Sequence, residues 1–490
     1  MKKRINVVLI ILIMMIVTVK ALPGEDYTPT YNAKETLEEK GQFESKSYSS
    51  TGSSENALLV KSELFLNNIK IVKTGDGSNE NDDFYGTNAA LLAINEAKVK
   101  MDKSNISTNG KYANAVFSYG TATIDINNSK ISTSGDNSGG IMVAGGGKLN
   151  ANNDIVVTKG NSSAAIRSDR GGGNISIEGG KYSTSGSGSP AIYSTANISV
   201  SSATLTSTAS EGIIVEGANS VDITNTTLTD NNTSLHGDSE TYKNIFLYQS
   251  MSGDSEEGTA SFESKNSTIT TNKGDTIFVT NTSCIITLNG NKIINNDPSG
   301  VLLRVQAGKW GTSGSNGGKV KLNIESQELE GDIVADKISS VDIFISSNSN
   351  YKGTINKDNT GIINLQISSE SDMTLQGDSY VKKLVNGDKT NNNIHANGHK
   401  LFVDGKEVKI NGSKNSNLPT TPTTNEKADY TQFYYIGGGV MAFLLFLIII
   451  ILVSRKRREK KELEKAKEVQ LPMMDATPKS VNEIYKNIRK

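Results

Sequence analysis

The sequence predicts an all-β fold, a β-solenoid with three short strands per coil, followed by one C-terminal transmembrane helix. Three observations carry the β-solenoid. The first is a period. A pair of the form apolar-x-apolar is followed, five positions after its second member, by another apolar residue, as in Ile124/Ile126 then Ile131, and Ile198/Val200 then Leu205. From Leu64 to Leu322 the leading residues are spaced 35, 25, 25, 26, 23, 23, 41, 24 and 36 apart, so six of nine spacings fall between 23 and 26. The second is alternation of period two, which turns one face of each strand inward, with no sustained i, i+3, i+4, i+7 stripe. The third is composition. Asn (51), Ser (56) and Gly (46) fill 153 of 490 positions, and these types accept the corner conformations of a coiled strand.

The segments follow in chain order. Residues 1–21 read as a secretory signal peptide: Lys2-Lys3-Arg4, then an apolar run from Val7 to Val19, then Val19-Lys20-Ala21 at the expected cleavage site. An uncleaved anchor is the alternative. Residues 22–44 form a lead-in and 45–410 the β-helix. Residues 411–433 form a Pro/Thr-rich stalk. Residues 434–453 form an apolar span long enough to cross a bilayer, with Tyr434 and Tyr435 at one end and Arg455-Lys456-Arg457-Arg458 beyond the other. Residues 454–490 then form a basic cytoplasmic tail. This orientation puts the β-helix outside the cell. Residues 1–21 carry +4 and 454–490 carry +6, so a net charge of −1 leaves −11 on the part between.

Within 45–410 a third strand precedes most of the apolar pairs, for example at 140–144, 191–194 and 276–279. Stacked coils then give three parallel sheets around a core one residue wide, which explains the modest apolar fraction. Eleven to thirteen coils are expected. The three long spacings each hold a polar insertion, at 76–83, 231–258 and 306–318. Past Leu329 the period loosens, which suggests capping coils or a change of coil size. A β-sandwich would also have many short strands, but it does not require a recurrent five-residue offset.

Several segments carry a family resemblance. They are Lys73-Thr74-Gly75-Asp76 with Asp83-Phe84-Tyr85-Gly86, Ser163 to Gly173, Gly188 to Ser194, Leu247 to Asp254, and Trp310-Gly311. They resemble those of bacterial right-handed parallel β-helix surface proteins, pectin-lyase-like in fold and called adhesin-like. The resemblance implies that fold and a bacterial cell-surface setting, and no particular ligand. Leu418-Pro419-Thr420-Thr421-Pro422 resembles the sortase anchoring signal, but Pro422 stands where that motif has Gly, and the tail is longer. The span therefore reads as a permanent anchor.

Composition narrows the function. The charge balance argues against a nucleic-acid binder. A lone Cys284, inward by parity, excludes an intramolecular disulfide and a cysteine metal cluster. No cofactor is expected. Asp76, Asp82 and Asp83 are weak Ca²⁺ candidates in an acidic insertion that lacks a calcium loop's spacing. A polysaccharide lyase or hydrolase would need clustered carboxylates. The outward positions of the middle strand, from Lys100 to Asn323, offer them singly. Arg167, Asp169 and Arg170 are the densest charge cluster and read as a salt-bridged turn, with no second acid beside them.

The outward positions of the first strand are less bland. Phe117, Met142, Arg167, Tyr193, Ile214, Phe246 and Phe278 stack coil upon coil, with Tyr119 and Tyr248 two residues further along their strands and Trp310 in a nearby insertion. They are the candidate ligand-binding residues. Bare, such a stripe would bind a sugar or an extended chain. Alternatively an insertion folds over it. The expectation is a membrane-anchored, adhesin-like surface protein that binds an extracellular glycan or protein. A polysaccharide lyase or hydrolase and a non-binding structural spacer are the alternatives.

Overall fold

The computed structural model describes residues 27–413 apart from Asp238. The expected signal peptide, transmembrane span and tail lie outside these residues, as does the stalk from residue 414 on. Among the described residues no helix is long and apolar enough to cross a membrane.

The chain is an all-β parallel solenoid of about 15 turns. Three long sheets form most of it. The first has 12 strands, from Thr36–Leu37 to Ile333–Ala335. The middle one has 14, from Gly41–Glu44 to Lys383–Asn386, and the third has 10, from Ser47–Ser50 to Lys292–Asn295. Every pairing within them is parallel and in register, as in Ile124↔Leu149 and Ile131↔Val156. Winding begins ahead of residue 45, because Thr36–Leu37 and Gly41–Glu44 already pair with the next coil. This adds to the eleven to thirteen coils expected.

The inward columns form one continuous core. Leu64, Val99, Ile124, Leu149, Ile175, Ile198 and Val221 are each at most 2% exposed. Cys284 belongs to this core, and burial pushes its thiol pKa up. Flat β-branched and Leu side chains suit such stacking. The corner between the middle and third strands recurrently places a residue at positive φ, as at Asn68 (52°), Asn128 (51°), Asn153 (54°) and Asn225 (49°). Next to it runs a hydrogen-bond ladder. The backbone N–H of Ile69 donates to Ser104 Oγ, that of Ser104 to Ser129 Oγ, and that of Ser129 to Asp154 Oδ1. Each coil thus satisfies a buried donor of the coil before it.

The looser period past Leu329 has a structural counterpart. The third sheet ends at Asn295, and a separate four-stranded sheet starts at Glu328–Glu330. The stack then closes on Leu401–Val403, which pairs antiparallel with Lys406–Val408 and so covers an open edge.

All three insertions border the first sheet. Residues 74–90 precede its strand Leu91–Ala93 and hold a short helix, α1 (Glu80–Phe84). Residues 231–242 precede Lys243–Tyr248 and 249–258 follow it, while 306–318 follow Leu303–Val305. This one face carries the candidate site.

Candidate ligand-binding cleft

Strand register puts the outward residues of the first sheet into one column. It runs Leu59, Leu92, Phe117, Met142, Arg167, Tyr193, Ile214, Phe246, Phe278 and Arg304. The column exists as expected, but most of it is not a bare stripe. Phe117 and Met142 are 0% exposed, packed with Leu59, Ala89, Leu92 and Ile94 and flanked by Tyr31 and Ala33. Tyr119 is half-buried and stands edge-on to Phe117. Phe278 is 4% exposed under a second cover, with Phe246, Tyr248 and Trp310. Phe117, Met142 and Phe278 therefore pack beneath these covers, the arrangement expected as the alternative to a bare stripe. Outward parity does not mean exposure where an insertion lies on top.

Between the two covers the column opens into a cleft of about 350 Å³. Six of the expected residues line it: Arg167, Tyr193, Ile214, Phe246, Tyr248 and Trp310. Further lining groups not expected as site residues include Phe84, Asp169, Glu211, His236 and Asp254.

One wall is aromatic. Phe246 and Tyr248 are stacked at 4.4 Å, and the Trp310 ring lies 5.2 Å from Phe246 and 5.1 Å from Tyr248. Trp310 is half-buried, held where Asn316 Nδ2 donates to its carbonyl at 2.9 Å. Below it, the buried Lys243 ammonium lies 4.4 Å over the Phe246 ring and pairs with Glu211 at 3.0 Å.

The other wall is charged. Arg167 Nη1 donates to Asp83 Oδ1 at 2.9 Å, and Nη2 lies 2.8 Å from both Asp83 Oδ2 and Asp169 Oδ2. Burial pushes both carboxyls up against the pull of Arg167, Asp169 to about 6. The expected turn cluster is therefore real but incomplete as read, since the missing second acid is Asp83. Next to it, Arg170 lies 4.0 Å over the Phe84 ring and pairs with Asp254 at 2.8 Å, so it ties one cover to the other. Asp254, in the polar insertion 231–258, is a half-buried wall residue.

Between the walls, the buried Glu216 carboxylate accepts hydrogen bonds from the hydroxyls of Tyr193, Tyr248 and Ser250. His236, on the 231–242 insertion, closes the rim, with Nε2 3.3 Å from Ser162 Oγ. Its ring rests on Gly188, at φ 63°, where an added Cβ would fall 2.5 Å from the imidazole.

The weak Ca²⁺ candidates diverge. Asp76 Oδ1 accepts the Lys111 backbone N–H at 2.8 Å. Asp82 takes part in the capping box of α1 and accepts from Ser54 Oγ at 2.7 Å, while Asp83 turns the other way to Arg167. Among the described residues no group of three His, Cys, Asp or Glu converges to hold a metal ion.

No family model, curated protein or solved structure matches the chain.

Proposed function

We propose that this chain is a cell-surface binding protein, carried by its C-terminal span in the membrane, that holds an extracellular glycan in the cleft. The observation that carries the reading is the pairing of walls. Aromatic faces at Trp310 and Tyr248 stand opposite hydrogen-bonding groups fixed by buried ion pairs. A sugar ring offers C–H faces to the first and hydroxyls to the second. The volume suits a short stretch of saccharide. The leader, stalk and span read from the sequence support display outside the cell, and the acidic balance disfavours nucleic acid. A right-handed winding of the pectin-lyase-like kind belongs to the same proposal, supported by the right-handed preference of parallel crossovers.

A second reading, a polysaccharide lyase or hydrolase, is favoured by one observation. The Asp169 carboxyl, raised to about 6, stands beside Arg167 on the cleft wall. Against it, Asp169 is 3% exposed and both its oxygens are engaged, by Arg167 and by the Arg170 backbone N–H.

A broad glycan array probed with the full-length protein in mild detergent, alongside Trp310→Ala, tests the first reading. Binding that the variant loses is the expected result. Binding kept by the variant, or none by either protein, contradicts it. Incubation of the same glycans with protein, followed for new reducing or unsaturated ends, tests the second.

A further inference from the structure

The ion pairs around the cleft do not balance. Five carboxylates line it or pair with its lining: Asp83, Asp169, Glu211, Glu216 and Asp254. Only Arg167, Arg170 and Lys243 answer them, which leaves two negative charges.

The surplus has two locations. Arg167 serves two carboxylates at once. Glu216 is held by three hydroxyls, and no cation pairs with it among the described residues. Its charge sits one phenol behind the cleft wall, at Tyr193 and Tyr248.

Of the three cations, Lys243 has no hydrogen-bonding capacity to spare for an anionic ligand, and the charges of the two arginines are already paired. Lys243 is spent on Glu211, Ser239 and the Thr241 carbonyl. Arg170 donates its Nε–H to Asp254 and lies over the Phe84 face, so its charge is already balanced. Aromatic faces at Trp310 and Tyr248 add negative quadrupole potential on the opposite side. In a partly enclosed cleft such a field is weakly screened.

We propose that the cleft selects a saccharide bearing a protonated amine, an amino sugar that is not N-acylated. This rests on the reading of the cleft as a glycan site and names the class of glycan. The ammonium would settle between the Asp169 and Tyr193 side of the cleft and the Trp310 ring. Uronates and other acidic sugars would meet an unbalanced negative wall.

Calorimetric titration of the full-length protein near neutral pH tests this with three probes: glucosamine oligomers, their fully N-acetylated counterparts, and uronate oligomers of the same length. The amine oligomers are expected to bind at least tenfold tighter than the acetylated ones, with no uptake of uronates. Glu216→Gln and Asp169→Asn, each checked for unchanged circular dichroism, are expected to shrink the ratio of amine to acetylated affinity at least fivefold.

Equal binding of amine and acetylated probes overturns the amine inference and leaves the glycan reading standing. A preference that survives both variants reflects the acidic surface at large and also overturns it. Failure of all three probes on a protein that binds another neutral glycan overturns the inference alone. Failure of every glycan removes both.

Discussion

Arg167 and Asp83 are 84 positions apart in the chain and joined by two contacts of 2.8 and 2.9 Å, in a setting where Arg167 is 9% exposed and Asp83 1%. The pair pins the 74–90 insertion, through α1, onto the third coil beyond it. It also fixes the charged wall of the cleft, because the same guanidinium holds Asp169.

Arg167→Ala would leave two buried carboxylates without their cation. The expected cost is about 3–5 kcal/mol, the usual penalty for breaking a buried pair from one side. Chemical denaturation monitored by circular dichroism reads it. A cost under about 1 kcal/mol, the range of exposed pairs, would mean that the wall is wet and the cover loose.

Phe117 and Trp310 belong to the same face but should respond in opposite ways. Phe117→Ala opens a cavity under the first cover and is expected to cost about 3–5 kcal/mol of stability, with glycan affinity unchanged. Trp310→Ala, at the half-buried rim, should leave stability within about 1 kcal/mol and lower affinity at least tenfold. Paired melting and binding curves decide it. The reverse pattern would return the ligand to the stripe beneath the cover.

That contrast marks where the sequence stopped being informative. Period and parity predicted the inward columns from Leu64 to Leu322 and the membership of the outward column, because each coil repeats its neighbour. The cleft is not periodic. Asp83, Phe84, His236, Asp254 and Trp310 reach it from the insertions, and no spacing rule says where an insertion lands. Phe117 and Met142 are outward as parity requires, and of the two expected arrangements, bare or covered, theirs is the covered one. One available signal was that the three long spacings, 35, 41 and 36, all fall where the chain enters or leaves the first sheet.

Asp230 should make stability fall as pH rises. It continues a column in which Thr133, Thr158 and Ser207 donate hydroxyls to turn carbonyls. Both oxygens of its fully buried carboxyl lack a hydrogen-bond partner. Burial first, then Glu211, push it from 3.8 to about 9, against the opposing charge of Lys243. The folded state therefore holds the proton more tightly than the unfolded one. The stability this group contributes is greatest below 3.8 and is lost by roughly 1.4 kcal/mol per pH unit up to about 9. Asp230→Asn should raise the melting midpoint at neutral pH and flatten that slope. Parallel slopes for the two proteins would contradict it.

Lys103 sits at φ 48° in the corner column that Asn68, Asn128 and Asn153 also occupy. A long side chain pays for this left-handed geometry more than Asn does. Its exposed bridge to Asp102, at 3.4 Å, offsets little. Lys103→Asn is expected to stabilise by about 0.5–1 kcal/mol. A lower melting midpoint would show that the corner tolerates Lys at no cost.

The chain has a single tryptophan, Trp310, and it lines the cleft. Its fluorescence therefore reports on the cleft without competing signal. Titration of the full-length protein with a glycan that binds on the array should produce a saturable change in Trp310 emission, with the same midpoint as the binding isotherm. A glycan that binds with that isotherm yet leaves the emission unchanged would place the ligand elsewhere and contradict the assignment of the cleft.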